Sequence, residues 1–298
     1  MQRRFRTVDV FTRTRFGGNP LAVVLDAEGL STDAMQAIAR EFNYSETSFV
    51  LSPKDAANTA EVRIFTPDRE LPFAGHPNVG TAFVLADEAR RRGEAVPERF
   101  AFEERAGLVR IGVLTEAGAA VGGEIAAPEA LSRRGTVSAE KVAACLSLDP
   151  ADIATERHAP EVVSVGLPFL VAELRSREAL RRIRPTPASY DDALPAEGAH
   201  SLYVYTRDAG AEGTDIQARM FNRQLTAEDP ATGSATAAAA ALLAELDGAA
   251  GEVRRLFGQG FDMGHPSLLE TRAERTAGGI RAFVGGRCVS VFEGTFEL

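Results

Sequence analysis

Positive charge is in short supply in this chain of 298 residues. Lysine and arginine number 33 against 42 aspartates and glutamates, for a formal net charge of −9 and a pI near 5.2. That balance argues against a nucleic-acid partner or an anionic membrane surface, while leaving room for a locally positive pocket that takes an anionic substrate. Long apolar runs are also missing. No stretch is long and clean enough to cross a bilayer. The basic opening, Gln2-Arg3-Arg4-Phe5-Arg6, leads into strand-like Thr7-Val8-Asp9-Val10-Phe11 rather than an apolar signal core, so no secretory signal is expected and a cytoplasmic location is. Cysteine is scarce. Cys145 lies on a helical stripe with Val142 and Leu146, and Cys288 in the strand-like Cys288-Val289-Ser290-Val291; neither has metal-ligand spacing around it, and both read as core thiols. The four histidines, His76, His158, His200 and His265, make no metal-binding pattern. No phosphate loop with its lysine and no dinucleotide fingerprint is visible, so neither a metal nor an organic cofactor is expected.

What is present is ordinary globular composition, 45% hydrophobic and 25% charged, over a length that suits two domains. There is also an internal repeat. His76-Pro77-Asn78-Val79-Gly80-Thr81-Ala82 mirrors Asp229-Pro230-Ala231-Thr232-Gly233-Ser234-Ala235. Upstream, Arg63-Ile64-Phe65 matches Arg219-Met220-Phe221, and Gly18-Asn19-Pro20-Leu21-Ala22-Val23-Val24 matches Gly166-Leu167-Pro168-Phe169-Leu170-Val171-Ala172. The three matches keep their order at nearly constant offset, which points to a duplicated unit. The reading places one half at 1–118 and the other at 119–281, with the closing strands 282–298 joining either.

Each half shows many strands and few helices. Val23-Val24-Leu25 reads as a strand. Ser31 reads as an N-cap with Asp33 in the first turn, and Met35, Ile38, Ala39 and Phe42 space an amphipathic helix. Strands follow at 47–51 and 60–65. A second helix begins after Gly75-His76-Pro77, carries Val79, Phe83 and Ala86 as its apolar stripe, and ends on Arg90-Arg91-Arg92 with Gly93 closing it. The Ala-rich run 232–246 is the clearest helix. The Gly- and Ala-rich stretch 116–128 reads as a hinge. Residues 282–292 read as a strand, a turn at Gly285-Gly286, and a strand. This pattern predicts an α+β fold, each half a curved, mostly antiparallel sheet around a central helix.

In a duplicated protein the equivalent loops, 75–81 and 229–234, are expected to face one cleft between the halves, where ligands often bind. Helix N-termini there offer N–H groups and partial positive charge to a carboxylate, and Thr81 and Ser234 add hydroxyls. A plainer reading stands beside this one: Asp229 and His76-Pro77 as capping devices. Proton acceptors and donors across such a cleft would be His76, Asp229 and one more carboxylate. Glu46, between the first helix and the strand after it, stands at a suitable entrance, although it is one of 42 acidic residues.

The combination of motifs resembles the PhzF-like family of phenazine biosynthesis. The resemblance rests on Val8-Asp9-Val10-Phe11-Thr12, Phe16-Gly17-Gly18-Asn19-Pro20-Leu21-Ala22-Val23, Asn43-Tyr44-Ser45-Glu46-Thr47-Ser48-Phe49-Val50, Arg63-Ile64-Phe65-Thr66-Pro67, Glu70-Leu71-Pro72-Phe73-Ala74-Gly75-His76-Pro77, Glu228-Asp229-Pro230-Ala231-Thr232-Gly233-Ser234-Ala235 and Gln259-Gly260 with Met263-Gly264 and Pro266-Ser267. It implies the diaminopimelate epimerase-like fold of two pseudo-symmetric halves, a homodimer, and a cofactor-free isomerase that moves a proton on a small acidic substrate. It further implies Glu46 as general acid/base, His76 and Asp229 as its catalytic partners, and Gly75, Gly233 and Ser234 as substrate-binding residues. Partial burial would raise the Glu46 pKa so that it could hold and return a proton. Related epimerases use one thiol from each half; here those loops hold Gly75-His76 and Asp229-Pro230, so a two-thiol racemase is not expected. Two departures concern the substrate: Asn222-Arg223-Gln224 where an apolar, proline-containing stretch is expected, and His265 where an arginine is. The alternative from another class is a non-catalytic small-molecule binding or regulatory protein on the same fold; the presence of Glu46, His76 and Asp229 together favours the enzyme.

Overall fold

The computed structural model describes residues 2–186, 189–190, 198–199, 201–210, 212–222 and 228–298. The chain divides into two compact units, Met1–Ile125 with Gly285–Leu298, and Ala126–Val284. The first boundary expected from sequence, between 118 and 119, falls instead within a hairpin: Ala117 and Gly118, both at positive φ, make the tight turn between strands Gly107–Glu116 and Ala119–Ala126. Most of the stretch read as a hinge is therefore paired strand. Among the described residues, no helix is long and apolar enough to cross a membrane.

In the first unit, Gln2–Val10 pairs antiparallel with Asn19–Val24 and with the last strand, Gly279–Glu297. Asn19–Val24 runs parallel to Glu46–Leu51, which pairs antiparallel with Ala60–Phe65. Ala60–Phe65 runs parallel to Arg99–Glu104, and antiparallel hairpins continue through Gly107–Glu116 to Ala119–Ala126. Pairing of Ala119–Ala126 with the last strand closes the ring. Helix α1 (Thr32–Phe42) packs Met35, Ile38 and Ala39 against Val24, Phe49 and Phe65, as its spacing predicts, and Ser31 caps it by accepting from the Ala34 N–H. Helix α2 (Gly75–Arg91) packs Ala82 and Ala86 against Val62, Ile64, Phe102 and Ile111. Its small residues let the strands approach closely all round.

The second unit repeats this plan. Pro168–Leu174 runs parallel to Ser201–Thr206, which pairs antiparallel with Ile216–Asn222, which runs parallel to Val253–Gln259, which pairs antiparallel with Ser267–Thr276. Helices α3 (Ala139–Leu146) and α4 (Arg177–Arg182) flank the sheet, and helix α5 (Gly233–Leu246), alanine-rich and buried on every side, is the counterpart of α2. The repeat extends to side chains. Arg63 makes a two-pronged pair with Glu70 (2.8 and 2.9 Å) and stands over the Phe65 ring; Arg219 does the same with Glu228 (2.7 and 2.6 Å) and Phe221. Such planar pairs fix geometry as well as charge.

One turn in the sequence reading is corrected. Gly279–Glu297 is a single strand, with no turn at Gly285-Gly286. A Cβ on Gly285 would lie 2.5 Å from the Gly123 carbonyl, and one on Gly122 would lie 2.0 Å from that of Gly286. The glycines are there because two backbones press together, a use that looks the same in sequence as a hairpin turn.

Candidate active site

The expected site residues fall into two groups, one in each unit. In the first, Glu46 opens its strand, and the two-residue alternation of strand side chains puts Glu46, Ser48 and Val50 on the face toward α2. His76 lies in the first turn of α2, and its Nε2 is 3.4 Å from Glu46 Oε2. This contact is not an ion pair. Burial drives the imidazole pKa down to about 3, only partly opposed by a hydrogen bond to the Pro20 backbone. Proline has no N–H, so the Pro20 carbonyl must accept and a ring N–H must donate. Nε2 makes no hydrogen bond of its own, which leaves Nδ1 as the donor and Nε2 as a bare lone pair facing the Glu46 carboxyl. Pro20 is well placed for this, since the next residue, Leu21, is the register partner of Glu46. Gly75 sits one residue before His76 and carries no side chain between the backbone and solvent.

In the same unit, Ser48 Oγ and Thr81 Oγ1, and Thr47 Oγ1 on the opposite face of the strand, are buried with no hydrogen-bond partner among the described residues. Unpaired buried polar groups are uncommon and concentrate at functional sites.

The second unit is built differently. Asp229 is not the cap of α5, as the plainer reading had it. The helix starts at Gly233 and Thr232 takes the N-cap position. Asp229 instead forms a local turn before the helix. Its Oδ1 accepts from the Ala231 N–H at 3.4 Å and its Oδ2 from the Thr232 hydroxyl at 2.5 Å, while its own N–H reaches the Met220 carbonyl at 3.4 Å. Gln259, fully buried, clamps the same turn from the neighbouring strand. Its Nε2 donates to the Asp229 carbonyl (2.8 Å) and to Thr232 Oγ1 (3.0 Å), and its Oε1 accepts from the Thr232 N–H (3.2 Å). The following Gly260 is at φ +75°, and a Cβ there would meet the His265 carbonyl at 2.4 Å and the Pro230 carbonyl at 2.7 Å. Gly233 and Ser234 form the first turn of α5. His265 is exposed, with its carbonyl accepting from Ser267. Asn222 ends its strand, whereas Arg223 and Gln224, like His200, lie outside the described residues.

The helix starts separate into two kinds. α1, α3 and α4 are each capped by a serine side chain, Ser31, Ser138 and Ser176, with an acidic residue in the first turn. α2 and α5 have neither a side-chain cap nor an acidic first turn. Their N–H groups and dipole are left available to an anion. Sequence reasoning missed Gln259 as a clamp, Pro20 as the histidine's acceptor, and Thr232 as the residue at the N-cap position of α5. The Gln259-Gly260 motif was visible, but nothing local ties it to a turn 30 residues earlier. The thiols stand apart from both groups: Cys145 and Cys288 are buried, and burial pushes the Cys288 thiol up.

This α+β architecture, two repeated units each wrapped around a helix, is of the diaminopimelate epimerase-like kind. The solved structure of a Bacillus anthracis phenazine biosynthesis protein of the PhzF family matches it with a TM-score of 0.89 over 100% of both chains, at 24% identity, which establishes the fold. The family described as phenazine biosynthesis-like protein matches residues 8–294. An uncharacterized isomerase of Mesorhizobium japonicum is 40% identical over 302 residues, 98% of each chain. The trans-2,3-dihydro-3-hydroxyanthranilate isomerase of Pseudomonas chlororaphis is 34% identical over 304 residues, again 98% of each. The chain belongs to the phenazine biosynthesis-like (PhzF) family, and it is an isomerase.

Proposed function

We propose that this isomerase moves a proton between two carbons of a small carboxylate-bearing substrate, without metal or organic cofactor, and that Glu46 carries the proton. The observation behind this is the Glu46–His76 pair. A neutral histidine with its lone pair toward a carboxyl accepts the carboxyl proton in a hydrogen bond, so the two groups together store one proton rather than one charge pair. Glu46 in its ionised form takes a proton from a substrate carbon. The electron pair of the broken C–H bond moves into the adjacent π system, and a new C–H bond forms when Glu46 returns a proton at the other end of it. Atoms and electrons balance with no oxidant. The 3.4 Å separation is long for a hydrogen bond, as is common before substrate tightens a catalytic contact. The uncapped start of α2 supports a place for the substrate carboxylate, with donors that need no reorganisation during the reaction. Gly75, Gly233 and Ser234 are proposed to bind substrate. Asp229 is proposed as the further catalytic carboxylate; its fixed orientation suits it to hold a polar substrate group. The protein is proposed to act as a homodimer.

The substrate named for the Pseudomonas relative, trans-2,3-dihydro-3-hydroxyanthranilate, belongs to the right chemical class and is the first to try, followed by a screen of small cyclic and amino acids. The test is Glu46→Gln, which keeps size and polarity and removes the proton chemistry. Turnover is expected to fall by about 10²- to 10⁴-fold, with ligand Kd unchanged within about tenfold. Near-normal kcat in the folded variant would refute the role given to Glu46.

A further inference from the structure

We propose that Arg219 is a positioning residue for Asp229: its guanidinium grips Glu228 with two hydrogen bonds and so fixes, one residue further on, the turn that carries the Asp229 carboxylate. The inference rests on the reading of Asp229 as part of the reaction site, but its test does not.

Arg219 is 8% exposed, and each of its three guanidinium nitrogens has an acceptor. Nε donates to Glu228 Oε1 at 2.7 Å and Nη2 to Glu228 Oε2 at 2.6 Å, while Nη1 donates to the Leu180 carbonyl in α4 at 2.8 Å. The guanidinium carbon stands 5.0 Å from the centre of the Phe221 ring. Contacts from three directions leave the planar group one orientation, and Glu228 one place to bind it.

Glu228 leads directly into Asp229. Beside the side-chain fork runs a backbone rung: Met220, the residue after Arg219, is the bridge partner of Asp229, and its carbonyl accepts the Asp229 N–H at 3.4 Å. That bond is long, as is the 3.4 Å bond from the Ala231 N–H to Asp229 Oδ1, and hydrogen bonds of this length are weak. The short contacts lie at the two ends of the turn. Gln259 holds the exit through the Asp229 carbonyl and Thr232, and Arg219 holds the entrance. The other copy of the repeat shows the same fork without this task. Arg63 grips Glu70 and stands over Phe65, but it also donates to Thr32 Oγ1, and Glu70 is shared with Arg105. There the fork closes a regular strand pair, Ile64 with Leu71 and Phe65 with Glu70. Five residues then intervene before His76. Only in the second unit does the fork act on the turn of a site residue.

The test uses ligand-free protein with ¹³C in the aspartate carboxyls, the Asp229 signal being the one absent from Asp229→Asn. Arg219→Lys keeps the charge but cannot hold both Glu228 oxygens and the Leu180 carbonyl together. Glu228→Gln breaks the same fork from the other side and serves where the lysine variant does not fold. Arg63→Lys is the control, because it removes the matching fork in the other unit. The Asp229 carboxyl signal is expected to move in Arg219→Lys. Amide hydrogen exchange at Thr232 should speed up by about tenfold or more in both Arg219→Lys and Glu228→Gln, relative to Ala239 and Leu243 in α5. Both readouts should keep their wild-type values in Arg63→Lys. An Asp229 signal that stays in place, exchange that rises evenly through the second unit, or the same changes in Arg63→Lys would overturn the proposal. No substrate enters the measurement, so its result is separate from the fate of Glu46→Gln.

Discussion

The two repeated loops began as copies and now differ in how much of their polar chemistry is already satisfied. In the second unit, Asp229 and Thr232 are bonded to each other and to Gln259. In the first, His76 Nε2 makes no hydrogen bond of its own, and the nearby hydroxyls of Ser48 and Thr81 are buried without partners. The unit-one loop is also longer. Six residues lie between Glu70 and Pro77, where only one lies between Glu228 and Pro230, and α2 starts before its proline while α5 starts after. The extra chain builds the helical turn on which His76 stands. Under the proposed mechanism, proton transfer would fall to the first loop and orientation of the substrate to the second.

That division predicts an asymmetry between variants. The largest effect should come from Glu46→Gln, which lowers kcat with little change in Kd. Asp229→Asn should lower kcat less, weaken binding as well, and reduce the melting temperature, because Asp229 also organises the turn before α5. Equal losses in kcat alone, from both, would erase the distinction. Next comes Gln259→Leu, which leaves the Asp229 carbonyl and both the hydroxyl and N–H of Thr232 short of a partner in a buried setting. Denaturant unfolding should show a loss of about 2–4 kcal/mol. A loss below about 0.5 kcal/mol would mean the clamp does not hold the second loop.

A pH-dependent effect of similar or smaller size tests two buried titratable groups of the first unit. Glu104 has its folded pKa raised above the unfolded one, so its stabilisation is present below about pH 4.5 and is lost as pH rises toward 8. His76 has its pKa lowered, so stability falls as pH drops below 6.5 toward 3. Replacing Glu104 by glutamine should remove the alkaline loss, making the variant the more stable protein at pH 8 relative to pH 5 by on the order of 3 kcal/mol. Parallel stability curves for variant and wild type would count against a buried neutral acid. The smallest effect expected is from Cys145→Ala with Cys288→Ala. Both thiols are buried, so stability should fall by about 1–2 kcal/mol while kcat stays as in the wild type. Loss of turnover in a folded double variant would bring back a thiol mechanism.

The fold was legible where a local pattern has one physical cause. Met35, Ile38 and Ala39 spaced α1, Ser31 capped it, and the alanine run of α5 could hardly be anything but a closely wrapped helix. The arginine–phenylalanine repeat at Arg63 and Arg219 was visible as letters, and the structure shows why it exists: each arginine grips a glutamate and covers a ring. Legibility failed where one residue type serves two purposes. Gly285-Gly286 reads as a turn but serves a close crossing of strands. The candidate site was less legible still. Glu46 is one of 42 acidic residues, and only family resemblance singled it out. Gln259 and Pro20 act through contacts between segments distant in sequence, which no local spacing encodes.

The proposed proton transfer depends most on His76 being neutral, with its proton on the Pro20 side and its lone pair toward Glu46. The ¹⁵N spectrum of the ring reads this directly, since protonated and bare ring nitrogens have well-separated shifts. Wild-type protein without ligand should show a protonated Nδ1 and a bare Nε2 that hold from neutral pH down to well below 6.5, as a pKa near 3 requires. A His76 that gains a second proton near pH 6.5 or above, or that carries its single proton on Nε2, would contradict the proton-sharing pair on which the mechanism is built.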